Sequence, residues 1–145
     1  MNAKDFFTEE ERKQIVDSIK QAEFKSSGEI KVHIENTFKG EVLDRAAQVF
    51  KQLEMHKTEL RNGVLIYLAI KDRKFAVIGD AGINKVVGNN FWDEAKDLML
   101  SEFKNQAFAK GLCEGISKIG EQLTAFFPRS KDDLNELSDD ISFGK

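Results

Sequence analysis

Gly63-Val64-Leu65-Ile66-Tyr67-Leu68-Ala69-Ile70, then Lys71-Asp72-Arg73, then Lys74-Phe75-Ala76-Val77-Ile78: this stretch decides the fold. An apolar run without alternation marks a strand covered on both faces, the central position of a sheet. The charged triplet after it is a tight turn, and the second apolar run returns as an antiparallel hairpin partner.

Working upstream, Glu29-Ile30-Lys31-Val32-His33-Ile34-Glu35 alternates strictly, which predicts a strand with one buried face. Between these strands, after Gly40, Val42, Ala46, Val49, Phe50 and Leu53 form an apolar stripe at helical spacing. Strand, helix and strand in succession imply a parallel pair joined by a right-handed crossover. Further back, Thr8 and Glu11 have the spacing of a capping box. Ile15, Ile19 and Ala22 continue that first helix, and Ser26-Ser27-Gly28 ends it.

Downstream, Gly79-Asp80-Ala81-Gly82-Ile83-Asn84 is rich in turn formers. Asn89 or Asn90 is positioned to cap a third helix with Phe91, Ala95, Leu98 and Met99 facing inward. A fourth helix is expected from about Gln106 to Phe126, stopped by Pro128. Its glycines, Gly111, Gly115 and Gly120, suggest close approach to the sheet, with helix packing as the alternative. The element order is therefore α-β-α-β-β-α-α, an α/β domain over residues 1–128. An acidic tail, 129–145, follows; Asp132, Asp133, Asp139 and Asp140 are interspersed there with Leu134, Leu137, Ile141 and Phe143.

Composition narrows the function. With 41% hydrophobic and 32% charged residues, the 145-residue chain has the makeup of one ordinary globular domain. A net charge of −3, with basic residues scattered, gives no reason to expect nucleic acid. Cys113 is the lone cysteine, so an internal disulfide and a paired-thiolate zinc site are both excluded. Met1 to Phe7 lacks the pattern of a signal peptide, and no apolar run is long enough to span a bilayer. No membrane insertion, a monomer and a cytoplasmic location are the expectations.

The topology also places a candidate site. Both parallel strands begin, and the hairpin strand ends, at one end of the sheet, which gathers Gly28-Glu29, Asn62-Gly63 and Gly79-Asp80. Oxygen donors from Asp80, Glu29 and Asn62 suit a hard cation, Ca²⁺ or Mg²⁺. Gly79 and Gly82 would allow positive φ and close approach to a ligand, with Ala81 completing the loop backbone. The alternative is structural: Asp80 caps the following turn and Asn62 a strand end. His33 and His56 are the only imidazoles; His33 is expected to be solvated or packed under a helix, with no ligand role. Cys113 reads as an inert buried thiol and Trp92 as a core plug. No HExxH, GxSxG, GxGxxG or GxxxxGK[ST] pattern occurs.

Three blocks resemble the TPM domain family in order and spacing: Ser27-Gly28-Glu29-Ile30-Lys31-Val32, Arg61-Asn62-Gly63-Val64-Leu65-Ile66-Tyr67-Leu68-Ala69, and Asp72 to Gly82. Phe103-Lys104 to Gly111-Leu112 and Gly115-Ile116 are similar to the family's last helix. The resemblance runs from about Phe7 to Phe127. It implies a three-layer α/β/α sandwich with a small, mostly parallel sheet, divalent-cation binding at the glycine loop, and a weak phosphomonoester hydrolase acting on a phosphorylated small molecule or protein partner. Arg61 stands where many members carry an acidic residue, and would weaken a metal site or contact an anion. The alternative function is a non-enzymatic interaction module in which the tail docks a partner or folds back.

Overall fold

The computed structural model describes residues 3–88, 90–129 and 137–144. Its sheet contains β1 (Glu29–Glu35), β2 (Gly63–Ala69), β3 (Lys74–Gly79) and β4 (Ser142–Phe143), in the order β3-β2-β1-β4. β2 is buried along its whole length, as its unbroken apolar run requires. β1 runs parallel to β2 with Glu29 opposite Gly63, and β3 returns antiparallel with Gly79 opposite Val64. β4 adds a third parallel strand outside β1, pairing Ser142 with His33 and Phe143 with Ile34.

The helices are α1 (Glu9–Lys25), α2 (Val42–Gln52), α3 (Ala81–Asn84), α4 (Asp93–Lys104) and α5 (Phe108–Phe126). The Thr8 capping box forms, with both reciprocal hydrogen bonds present. Alternation divides the sheet into two faces. Ile30, Val32, Ile34, Val64, Ile66 and Val77 pack in one cluster with residues of α1, α4 and α5. Leu65, Tyr67, Ala69 and Ala76 pack in the other with Ala46, Val49 and Phe50 of α2. This is the α/β/α sandwich with a mostly parallel sheet. Ile30, Val32 and Ile34 are at most 1% exposed. Each contributes about 1.5–3 kcal/mol by leaving water.

Several local expectations are corrected. β1 is buried on both faces, because α2 and residues 137–144 cover its polar side. α3 is an extra turn of helix in the glycine loop. α4 begins at Asp93, with Trp92 rather than Asn90 at its cap, and the Asn90 carbonyl accepts the Asp93 N–H; Asn89 lies outside the described residues. Leu98 turns outward at 41% exposed. α5 starts two residues after Gln106. Gln106, at φ 59°, closes α4 in a left-handed turn, with hydrogen bonds from Gln106 N to Phe103 O and from Ala107 N to Glu102 O.

The α5 glycines serve helix packing rather than the sheet. A Cβ at Gly115 would lie 2.5 Å from Met99, and one at Gly120 2.6 Å from Ala22. Pro128 ends the segment bridged to Ser26. In the tail, Leu137 packs against the α2-side cluster, and Ile141 and Phe143 against the other. Asp132, Asp133 and Leu134 lie outside the described residues. Among the described residues, no helix is long and apolar enough to cross a membrane.

Candidate functional site

The starts of β1 and β2 and the end of β3 meet at one end of the sheet. The Glu29 N–H donates to Asn62 O at 3.3 Å, the Asp80 N–H to Gly63 O at 2.9 Å, and the Gly82 N–H to Arg61 O at 2.8 Å. Glu29, Asn62 and Asp80 are all buried, at 3%, 2% and 6% exposed.

Their side chains, however, are committed separately. Arg61 grips the Asp80 carboxylate with Nε to Oδ2 at 2.7 Å and Nη2 to Oδ1 at 2.8 Å. Oδ1 also accepts the Ala81 N–H at 2.7 Å, which caps α3. Glu29 Oε1 accepts the Leu137 N–H at 2.6 Å, on the tail side of β1, and the Asn62 amide donates to Ser27 Oγ at 3.3 Å. β2 lies between β1 and β3, so Glu29 and Asp80 leave their backbones about 9–10 Å apart. The donor chemistry suits a hard cation, but the three donors are not gathered into a ligand set. Among the described residues, no three His, Cys, Asp or Glu side chains are grouped to hold a metal.

The glycines differ from expectation in the same loop. Neither Gly79 nor Gly82 has positive φ; Arg61 does, at 52°. Gly82 is required by proximity, because a Cβ there would sit 2.2 Å from Leu60 O and 2.6 Å from Arg61 O. Gly79 lies against the Trp92 ring, 3.2 Å from where its Cβ would be.

A second polar centre lies at the opposite end of β1. Glu35, 2% exposed, accepts hydrogen bonds from Arg45 Nε at 3.1 Å, Arg45 Nη2, Tyr67 Oη and His33 Nε2 at 3.1 Å. His33 Nδ1 lies 2.8 Å from Ser142 Oγ. Burial opposes the charge on Glu35, but the bonds from Arg45, Tyr67 and His33 outweigh it and bring its pKa down to about 2. Burial likewise lowers His33, against the pull of Glu35, and leaves the imidazole neutral at pH 7. An ionised Glu35 can only accept, so Nε2 carries the proton and Nδ1 accepts the Ser142 hydroxyl. The chain Ser142–His33–Glu35–Arg45 thus fastens β4 to β1 and α2. Sequence reasoning missed this centre. Its signal was two polar residues, His33 and Glu35, on one face of a strand, with His33 in register with Tyr67 and an Arg-bearing helix alongside.

Glu23 is a third buried acid, 7% exposed, whose Oε2 accepts the Ile30 N–H at 2.8 Å. Burial, then its contact with Asp139, pushes its pKa up to about 9. His56 lies in a 3₁₀ turn at Met55–Lys57. Cys113 is partly buried, and burial raises its pKa, consistent with an inert thiol.

A three-layer sandwich with this strand order and a capped glycine loop defines a class of small α/β domains. The chain belongs to the TPM domain family, whose model matches residues 1–122. It is similar to the NMR structure of BA42 from the psychrophilic bacterium Bizionia argentinensis, with 48% identity over 97% of each chain and a TM-score of 0.92. Two more distant structures share the fold. An N-terminal domain from P. gingivalis has 16% identity and a TM-score of 0.70, over 85% of this chain and 80% of that one. The N-terminal domain of cg2496 from Corynebacterium glutamicum has 14% identity and a TM-score of 0.62, over 89% and 80%. No curated protein matches the chain.

Proposed function

We propose that this TPM domain is a divalent-cation-binding module, in which Ca²⁺ or Mg²⁺ takes the place of the Arg61 guanidinium on Asp80. One observation carries the reading. Asp80 is a buried carboxylate whose countercharge is a side chain 48% exposed, on a residue with left-handed backbone. A buried carboxylate demands a positive charge. Arg61 supplies it from solvent and at conformational cost, so a cation from solvent competes with it. The Asn62 amide and the loop carbonyls are the further oxygen donors; Glu29 joins them only if it releases Leu137.

Binding without catalysis is the better-supported form of this reading. A phosphomonoester hydrolase on these residues would need Arg61 released from Asp80 to meet the phosphate. The Ser27 hydroxyl donates to Phe127 O at 3.3 Å and accepts from the Asn62 amide, and neither partner is a general base.

The test is a Ca²⁺ and Mg²⁺ titration followed by amide shifts. Saturable shifts at residues 28–29, 61–63 and 79–82, absent in Asp80→Asn, support the reading. Shifts confined to residues 132–140 mean diffuse charge binding and overturn it.

A further inference from the structure

A cavity of about 420 Å³ opens at the hairpin end of the sheet, beyond the carboxyl end of β2 and remote from Asp80. This is the size and placement typical of small-molecule sites in α/β folds. Its wall is a continuous run of aromatic contacts. Phe6 meets Phe108 edge-on at 5.2 Å, Phe108 stacks on Phe103 at 5.4 Å, and Phe103 meets Phe75 edge-on at 5.1 Å. Phe103 is held from behind by the bare backbone of Gly111, where a Cβ would lie 2.7 Å from the ring. These rings are therefore fixed by packing before any ligand arrives.

Among the described residues, the charged ones lining this cavity are Arg73 and Lys104, with no carboxylate. Neither cation has an ion-pair partner among the described residues. The neighbouring carboxylate of Asp72 is turned away, accepting from Thr37 Oγ1 at 2.7 Å and from the Phe38 N–H at 3.0 Å. Two lining residues, Arg73 and Gln106, hold left-handed backbone at φ 53° and 59°. Neither is glycine, so both turns carry conformational cost at the same cavity.

The geometry points to a binding site for a small amphipathic carboxylate, its apolar body against Phe75, Phe103 and Phe108 and its carboxylate on Arg73 and Lys104. An aromatic wall without cations would take any apolar molecule, and two unpaired cations without the wall would take any anion. Together they select a ligand with both parts. This site is independent of Asp80 and of any cation there.

Octanoate, titrated into the full chain below its micelle concentration and followed by amide shifts, tests the assignment. Saturable shifts at residues 68–75 and 100–108 are expected. Octanol, which keeps the chain and loses the charge, should bind about tenfold more weakly. The Arg73→Gln/Lys104→Gln double variant should lose that same factor for octanoate and leave octanol binding unchanged. Equal affinity for octanoate and octanol would overturn the charged half of the site. Absence of saturable shifts, or shifts centred on the exposed Phe24 and Phe126 instead, would overturn the site itself.

Discussion

Arg61 and Asp80 share two parallel hydrogen bonds, 2.7 and 2.8 Å long, across the two turns that close one end of the sheet. The same arginine has positive φ, and its carbonyl accepts the Gly82 N–H. One residue therefore fixes the glycine loop by both its backbone and its side chain. Replacing it separates these roles. Arg61→Gly keeps the carbonyl and relaxes the left-handed backbone. It should tighten Ca²⁺ binding by about fivefold, because the cation no longer competes with a guanidinium. Calorimetric titration of the parent and the variant decides this; weaker binding in the variant would make Arg61 a helper and not a competitor.

Gly82 should tolerate no side chain. Gly82→Ala places a Cβ against two backbone carbonyls that cannot rotate away. A loss of about 2–3 kcal/mol in urea unfolding is expected. Gly88→Ala, where nothing lies within 4 Å, should change stability by less than about 0.5 kcal/mol.

Stability should peak in mildly acidic solution, with Glu35 and Glu23 setting the two sides. Glu35 has a folded pKa depressed to about 2, so its contribution is present above the unfolded value of 4.5 and is lost as pH falls toward 2. Glu23 has a folded pKa raised to about 9, so its contribution is complete below 4.5 and is lost as pH rises toward 9. Urea midpoints across this range should fall in both directions from about pH 5. Glu23→Gln, a permanently neutral isostere, should remove the alkaline fall and gain about 2 kcal/mol over the parent at pH 8.5. An unchanged alkaline limb would show that Glu23 ionises without cost.

Glu35→Gln should do more than weaken the fold. It leaves the part-buried Arg45 facing a neutral amide, and replaces an acceptor-only carboxylate with a group that can also donate, so the His33 tautomer is no longer fixed. A global loss of about 2–3 kcal/mol is expected. Exchange of the Gly144 amide, which donates to Ile34 O at 2.8 Å, should accelerate beyond that global loss, since β4 is fastened through this chain. Uniform acceleration across the sheet would mean that Glu35 serves the whole core equally.

Much of the architecture was legible in the sequence because it rests on periodicity. The unbroken Gly63–Ala69 run and the alternation of Glu29–Glu35 imposed the central and neighbouring strands, and the Thr8 capping box fixed a helix start. Convergence of Glu29, Asn62 and Asp80 at one sheet end followed from strand direction alone. Side-chain commitment did not. Asp80 satisfying Arg61 depends on a left-handed turn that no residue type announces, and Glu29 facing the tail depends on Leu137, over 100 positions away. β4 was hidden for a related reason. Two residues are too short for an alternating pattern, and their pairing is decided by His33 and Ile34 at the far end of the chain.

β4 also covers a border of the sheet. A parallel strand at a sheet border offers a row of unmatched N–H and C=O groups to any other extended chain. Here Ser142 and Phe143 occupy that row beside His33 and Ile34, while Ser138 O accepts from Lys31 Nζ and Leu137 N donates to Glu29 further along. The C-terminal segment thus occupies an edge of β1 that would otherwise be open to another extended chain.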